Sequence, residues 1–179
     1  RPCEPASRRG RVEEKPVAIG RLKRVAADHR DDISDRLPRA PAASNGKKVA
    51  LIGAGCASLT VANDLRPLGY EVTIFEALAT TGGLMRTNIP QFRLPPKVLD
   101  EEIGYILDMG VDLKLNHRID SMKSLLDEGF DAIFVGTGAP RGKNLEIPGR
   151  YDSDRIHIGI EWLESVAFDH IDEIGERVL

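Results

Sequence analysis

The chain has 179 residues and a formal net charge of −3, which is enough length for one domain and an appendage. Apolar residues make up 41% of the chain and charged residues 30%, as in ordinary proteins that fold in water. No apolar run reaches the roughly 20 residues of a membrane-spanning helix, and the first residues are too charged for a secretory signal. Two cysteines exclude a disulfide-rich secreted scaffold, so we expect a cytoplasmic protein without a membrane span.

Charge is distributed unevenly along the chain. Residues 1–48 carry 13 Lys or Arg against 7 Asp or Glu, whereas residues 49–179 carry 12 against 21. The basic part has no aromatic residues between its cations and no recognised nucleic-acid-binding motif, so we expect no nucleic-acid partner. A basic segment that packs on an acidic domain or subunit is the better interpretation.

Residues 1–46 are predicted to form the end of a small helical segment followed by a linker. The chain opens on an arginine and not on a methionine, and we expect it to be part of a longer protein. Residues 16–27 have a helical pattern, with apolar side chains on one face at Ile19, Leu22, Val25 and Ala26. Residues 28–46 are charged and rich in Pro, Ala and Ser, which is typical of a linker.

Residues 47–76 have the pattern of one βαβ unit. A short apolar run at 49–52 predicts a buried parallel strand, and the glycine-rich residues 53–58 follow at once. A helix with an apolar face comes next, and a second strand at 72–75 ends on Glu76. The combination of strand, glycine turn, helix, strand and terminal acid is more specific than a glycine pattern alone.

Each part of this unit suits dinucleotide binding. Gly53 permits a tight turn, and Gly55 lacks a Cβ, so a pyrophosphate can approach the backbone near the helix N-terminus. Glu76 lies 23 residues after Gly53, where a carboxylate accepts hydrogen bonds from an adenosine ribose. Ser58 holds the third small position, usually Gly or Ala, and we expect a slight shift of the helix there. A plain structural turn is the alternative interpretation.

The rest of the chain alternates helices and strands. A loop at 77–96 is long for a compact domain, and its Gly82-Gly83 pair would let backbone approach a ligand. Beyond it we predict a helix opened by Pro95 and Pro96, strands at 111–115 and 131–135, a short helix capped by Ser121, and a helical tail at 155–179. This alternation predicts an α/β fold, a parallel sheet with flanking helices, that binds ligand at the carboxyl ends of its strands.

Several motifs occur in the order in which one enzyme family has them. They read VALIGAGxAxL, VTIFEA, GGLM, IPxFRLP, MGVD, FDAIFVGTGA and IPG, and the match covers about residues 1–165. In these motifs the chain resembles the small subunit of glutamate synthase and its relatives, which include the flavin domains of dihydropyrimidine dehydrogenase and NADH-dependent ferredoxin:NADP oxidoreductase. Cys56 stands where the family usually has proline, and Ser58 where it usually has glycine.

The resemblance implies that residues 47–179 form the N-terminal part of a Rossmann-like FAD-binding domain. Gly53 and Gly55 would meet the FAD pyrophosphate, Glu76 the adenosine ribose and Ile119 the adenine. The other residues implied in cofactor binding are Ala54, Cys56, Ala57, Ser58, Ala77, Gly82, Gly83, Leu84, Arg93, Thr137 and Gly138. Of these, Thr137 and Gly138 would lie near the phosphates, and Gly82 to Leu84 and Arg93 along the cofactor. A surface ion pair is the alternative for Arg93.

The first residues resemble the family segment that binds an iron–sulfur cluster, which has the pattern CExxCxRG followed by PVxI and LKR. Only Cys3 matches a ligand position here, because Ser7 holds the second one. A [4Fe–4S] cluster normally needs four ligands, usually thiolates, so the ligand set is incomplete in this chain. Cys3 is therefore either a leftover metal ligand or part of a degenerate site.

Cys56 has two interpretations of its own. A thiol at a helix N-terminus can be reactive, but no second cysteine lies nearby to form a redox pair. We interpret Cys56 as a small packing residue beside FAD. The four histidines have no metal-binding spacing, and we expect no catalytic side chain in this chain.

The resemblance implies a redox enzyme in which NAD(P)H reduces FAD by hydride transfer and electrons leave singly, through iron–sulfur clusters, to a partner subunit or domain. In the family a second nucleotide-binding domain holds NAD(P)H, so we expect catalysis of the longer parent protein and not of these residues alone. The alternative is a non-catalytic, FAD-holding assembly module that docks a redox partner. A Rossmann domain for NAD is a third interpretation, which the GGLM and FRLP motifs disfavour. The electron acceptor and the choice between NADH and NADPH stay open.

Overall fold

The computed structural model describes residues 2–40, 43–171 and 174–178. The chain divides into two compact units, Arg1–Leu37 and Pro38–Leu179. No helix in these described ranges is long and apolar enough to cross a bilayer.

The first unit contains one α-helix, α1 (Ile19–Asp28), and two short 3-10 helices at Arg8–Arg11 and Ser34–Arg36. The helix predicted over 16–27 is confirmed, although it begins at Ile19, after Ala18, whose φ of −75° and ψ of 61° are not helical. None of its residues is buried. Leu22 and Val25, on the predicted apolar face, are 58% and 55% exposed.

The second unit is built on a four-stranded parallel sheet with the strand order β3-β2-β1-β4. Its strands are β1 (Lys48–Ile52), β2 (Glu71–Phe75), β3 (Asp112–Lys114) and β4 (Ala132–Val135). β1 lies in the centre and pairs in parallel with both β2 and β4. The predicted α/β fold with a parallel sheet is therefore confirmed.

Within the described residues of this unit, five α-helices accompany the strands: α2 (Cys56–Leu65), α3 (Leu84–Thr87), α4 (Pro96–Leu107), α5 (Met122–Asp127) and α6 (Gly159–Ala167). A 3-10 turn at Arg66–Leu68 extends α2. Ser121 caps α5 as predicted, since its hydroxyl accepts a hydrogen bond from the Ser124 N–H at 3.4 Å. The four-residue α3 lies inside the segment that the sequence analysis treated as a loop.

The helical tail predicted over 155–179 is wrong in its extent. The helix α6 has nine residues, because Ile158 is extended before it and Asp169, at φ 56°, takes a left-handed conformation after it. Residues 172–173 and 179 of that prediction lie outside the described residues.

Apolar side chains cover both faces of the sheet. On one face α2 and α4 bury Leu59, Leu99 and Ile103 in a cluster with residues of β1 and β2. On the other face Leu125 of α5 packs with Ala50, Ile52 and Phe75. Because β1 is covered on both faces, its run of apolar residues is explained by burial. The packed sheet gives the loops after β1, β2 and β4 a rigid support at one edge.

Candidate functional site

The glycine turn after β1 has a backbone that only glycine can adopt there. Gly53 has φ +94°, its N–H donates to the Phe75 carbonyl at 2.8 Å, and a Cβ at this position would lie 2.7 Å from the Gly136 carbonyl oxygen. Gly55 is different, because it has an ordinary extended φ of −81°. A Cβ built on Gly55 meets no atom within 4 Å, so the space beside it is open to a ligand.

The helix α2 begins directly on this turn. Its first helical hydrogen bond runs from the Leu59 N–H to the Gly55 carbonyl at 3.1 Å. The N–H groups of residues 56–58 therefore have no acceptor within the helix. Together with the positive end of the helix dipole, these groups form a site that suits a phosphate or pyrophosphate. Cys56 is the first residue of α2, and its side chain is exposed.

The carboxylate of Glu76 joins the ends of β1 and β2. Its Oε2 accepts the Ala54 N–H at 2.6 Å and its Oε1 accepts the Leu78 N–H at 2.9 Å. Glu76 is only 9% exposed. Each carboxylate oxygen can accept a second hydrogen bond, so ribose hydroxyls could be bound without loss of the internal ones. Sequence reasoning found the ribose candidate and missed this structural role, which depends on contacts across two loops. Ala77, another predicted site residue, directly follows Glu76 in the chain.

The Gly82-Gly83 pair lies against the glycine turn, as expected for residues that share one ligand. The Gly82 N–H donates to the Ala54 carbonyl at 2.9 Å. A Cβ built on Gly83 would lie 3.0 Å from Gly55 Cα, and both glycines have positive φ, 105° and 50°. Leu84 begins α3 immediately afterwards and is 42% exposed. The predicted residues 53–55 and 82–83 are therefore brought together.

The segment after β4 completes the same edge of the sheet. Thr137 Cα lies 3.2 Å from a Cβ built on Gly53, and Gly138 has φ 68°. Ser58 of α2 is fully buried, and its hydroxyl has no hydrogen-bond partner in the described chain. A Cβ on Gly136 would lie 2.3 Å from this hydroxyl oxygen. Ser58 is accommodated because the facing residue is glycine, which sequence reasoning did not anticipate.

Two predicted site residues, Arg93 and Ile119, make contacts other than those around the glycine turn. Arg93 is exposed in a turn closed by its N–H and the Pro90 carbonyl at 2.8 Å, and its guanidinium lies 5.9 Å from the centre of the Phe92 ring. Ile119 lies beyond the third strand, because β3 stops at Lys114. It is half-buried and packs on the cluster that contains Phe75. The cofactor contacts of Arg93 and Ile119 remain predictions.

The described residues do not form a metal centre. Cys3 and Cys56 are both free and exposed, and no group of three or more His, Cys, Asp or Glu side chains within the described ranges could hold a metal ion. A four-ligand iron–sulfur cluster does not fit the ligands that this part of the chain presents.

A cavity of about 160 Å³ lies away from the glycine turn, between α4 and the end of α6. Its lining includes Met85, Arg86, Leu94 and Phe168, and none of the glycines of the turn. We place the candidate site at the glycine turn, because free N–H groups and a positioned carboxylate converge there and not in the cavity.

Comparison with known proteins agrees with this geometry. The family model for NAD(P)-binding Rossmann-like domains matches residues 51–118, which contain the glycine turn, Glu76 and the Gly82-Gly83 pair. Among solved structures, Mycobacterium tuberculosis FprA in complex with NADPH has a TM-score of 0.54 and 22% sequence identity, over 66% of this chain and 28% of that chain. This similarity supports the fold.

Curated relatives match nearly the whole chain. The NADP(+)-dependent formate dehydrogenase subunit beta of Moorella thermoacetica is 35% identical over 99% of this chain and 28% of its own length. The glutamate synthase [NADPH] small chain of Bacillus subtilis is 32% identical over 96% of this chain and 35% of its own. The NAD-dependent dihydropyrimidine dehydrogenase subunit PreT of Salmonella typhimurium is 36% identical over 84% of this chain and 36% of its own.

The chain thus spans about a third of the length of these relatives. The matches include two of the three kinds of protein that share the motif order, namely a glutamate synthase small chain and a dihydropyrimidine dehydrogenase subunit. The chain is therefore similar, over most of its length, to members of the glutamate synthase small-subunit family, and its residues 51–118 match the model for NAD(P)-binding Rossmann-like domains.

Proposed function

We propose that the chain is the FAD-binding part of an NAD(P)H-dependent oxidoreductase that passes electrons to a partner subunit or domain. The observation that carries this proposal is the contact between the Gly82-Gly83 pair and the glycine turn, where the Gly82 N–H donates to Ala54 and Gly83 approaches Gly55. Two glycine-rich backbones that converge beside a helix N-terminus suit a long dinucleotide that runs past the pyrophosphate position.

Each part of the site has a binding role in this proposal. The N–H groups of residues 56–58 hold the pyrophosphate, and Glu76 accepts the ribose hydroxyls while it keeps the turn in place. Gly83 and Leu84 lie along the cofactor, with Thr137 and Gly138 near the phosphates. Bound FAD would supply hydride acceptance from NAD(P)H and release of single electrons. The protein residues bind and orient the cofactor and contribute no catalytic side chain.

The other functions belong to the longer protein that the relatives' lengths imply. We place the NAD(P)H site and the turnover there, and we assign residues 47–179 to the first part of the FAD domain. Residues 1–46 are assigned to the end of a helical iron–sulfur-type segment plus linker. Cys3 alone cannot bind an iron–sulfur cluster, so we assign this segment no role in electron transfer. The protein is proposed to act in the cytoplasm.

A non-catalytic FAD-holding module is the second candidate. Ser7, Cys56 and Ser58, which differ from the residues that the family usually has at these positions, favour it. The names of the relatives, which are subunits of NAD(P)H-dependent oxidoreductases, favour the enzyme. The two candidates differ in one observable property, which is whether nicotinamide reduces the bound flavin.

The test is anaerobic titration of the full-length, FAD-loaded protein with NADH and, separately, with NADPH. The absorption of the oxidised flavin is recorded during each titration. We expect the flavin bands to bleach with one of the two donors, which also identifies the donor. Flavin that stays oxidised with both donors would support the assembly module. The 179-residue chain alone should bind FAD more weakly and should not be reduced, which makes it a control.

A further inference from the structure

The side chain of Arg86, which belongs to no predicted site, packs against the Gly82-Gly83 pair on the side opposite the glycine turn. Arg86 Nε donates to the Thr81 carbonyl at 2.6 Å, and Arg86 Nη2 donates to the carboxylate of Asp100. The Arg86 side chain is 18% exposed, so most of it is enclosed by protein. One guanidinium therefore joins the loop that precedes the glycine pair to the helix α4.

The stem of Arg86 also lies against the glycine pair itself. A Cβ built on Gly82 would lie 3.3 Å from Arg86 Cβ and 3.0 Å from a methyl group of Leu99. Leu99 is 5% exposed and belongs to α4, which is anchored in the core. The glycine pair is thus enclosed between Arg86 and Leu99 on one side and Ala54 and Gly55 on the other.

We propose that Arg86 is a positioning residue for cofactor binding, because it holds the Gly82-Gly83 backbone against the glycine turn. This inference rests on the proposed FAD function. Gly82 and Gly83 both have positive φ, and neither has a side chain that could pack against the rest of the protein. Such a segment orders only when a neighbour fixes it, since glycine loses the most conformational freedom on ordering.

The role requires arginine and not only a positive charge. The planar guanidinium offers donors in two fixed directions, here the Thr81 carbonyl and the Asp100 carboxylate, which lie on different elements. A lysine has all its donors on one nitrogen, which cannot occupy the separate Nε and Nη2 positions from which Arg86 reaches the two acceptors. Arg86→Lys keeps the charge and the apolar part of the side chain, so it tests the two simultaneous hydrogen bonds of the guanidinium separately from charge and packing.

The experiment compares the full-length protein with Arg86→Lys and Asp100→Asn. FAD affinity and dissociation rate are measured by flavin fluorescence, and backbone order is measured by amide hydrogen exchange in the cofactor-free protein. We expect Arg86→Lys to weaken FAD binding about tenfold, mainly through faster dissociation. We expect the Gly82 N–H, which donates to Ala54, to exchange about tenfold faster. The thermal midpoint should change little.

Two comparisons make the outcome specific. Arg150→Lys is the matched control, because Arg150 also bridges a side chain and a carbonyl, Asn144 Oδ1 at 2.6 Å and Ile156 at 2.9 Å, on an exposed segment. It should leave FAD binding and Gly82 exchange unchanged. Asp100→Asn should have a smaller effect than Arg86→Lys, and the double variant should be less than additive because both changes disrupt the contact between Arg86 and Asp100.

Unchanged FAD binding and unchanged Gly82 exchange in Arg86→Lys would overturn the inference. If the wild-type protein binds no FAD, the proposed function is wrong, and the exchange of Gly82 in the cofactor-free variants still decides whether Arg86 orders the loop. Weaker FAD binding accompanied by an equal loss of protection throughout the sheet would assign Arg86 to general stability and would also overturn the positioning role.

Discussion

Glu76 Oε2 accepts the backbone N–H of Ala54 at 2.6 Å, so the acid at the end of one strand holds the glycine turn at the end of its neighbour. The second oxygen accepts the Leu78 N–H, which fixes the start of the next loop. Glu76, which we propose binds the cofactor ribose, therefore also shapes the glycine turn at which we propose the pyrophosphate binds. Cofactor affinity and local stability should respond together when this residue is changed.

Glu76→Gln is the first test of that double role. The amide replaces one acceptor oxygen with a donor, so one of the two N–H groups in the buried site loses its acceptor. We expect a loss of about 1–3 kcal/mol in the free energy of unfolding and weaker FAD binding. Chemical denaturation and a fluorescence titration measure the two effects. Glu71→Gln, at the exposed start of the same strand, is the control and should change neither quantity appreciably.

Two alanine substitutions should separate the folding and binding roles of the glycine turn. Gly53→Ala puts a Cβ 2.7 Å from a carbonyl oxygen at φ +94°, so we expect a loss of more than about 1 kcal/mol in stability. Gly55→Ala meets no protein atom and has a permitted φ, so stability should hold while FAD binding falls because the Cβ fills the phosphate side. Equal FAD affinity of Gly55→Ala and wild type would contradict the assignment of this turn.

The buried hydroxyl of Ser58 predicts a stabilising substitution. Because this hydroxyl has no partner in the described chain, Ser58→Ala removes a desolvated polar group, namely the oxygen that faces Gly136. We expect an increase of about 1 kcal/mol in the free energy of unfolding, measured with urea. Ser121→Ala is the opposite control, since that hydroxyl caps α5 and its loss should destabilise the protein. A less stable Ser58→Ala variant would show that the hydroxyl does have a partner.

The ion pair between Lys47 and Asp131 predicts how one contact responds to pH. The Lys47 ammonium, 2.7 Å away, and the Lys48 N–H hold the pKa of Asp131 below its ordinary value of 3.8. Asp131 raises the pKa of Lys47 above 10.5 in return. Because the pKa of Asp131 is lowered on folding, this carboxyl contributes to stability above pH 3.8, and that contribution is lost as the pH falls through its pKa in the folded protein. Because the pKa of Lys47 is raised on folding, its contribution to stability is lost only as the pH rises beyond 10.5.

The thermal midpoint of Asp131→Asn should therefore differ from that of wild type by a small and constant amount across neutral pH, since the ion pair is exposed. The difference in thermal midpoint should shrink at the acid end, below pH 3.8, where wild type protonates this carboxyl. Thermal unfolding of both proteins at a series of pH values measures it. A difference that grows towards low pH would contradict the sign of the predicted linkage.

The strands and the glycine turn were predictable because their signals are local. The apolar run at 49–52 needs only burial on two faces, and Gly53 and Gly55 sit at fixed offsets from it. The Arg86–Asp100 contact and the Ala54–Glu76 hydrogen bond were not predictable, because each joins residues 14 or 22 positions apart whose approach depends on how the loops pack. The same reason explains Ser58, whose fit depends on Gly136 in a strand connection far along the chain.

We propose that the glycine turn, Glu76 and the Gly82-Gly83 pair together bind FAD. The flavin content of the purified full-length protein, measured before and after reconstitution with FAD and, in parallel, with NAD, tests this proposal. We predict one tightly bound FAD per chain, released on denaturation and recovered on reconstitution, with Gly55→Ala as a variant that fails to retain it. Absence of FAD after reconstitution, together with tight binding of NAD at this turn, would contradict the account.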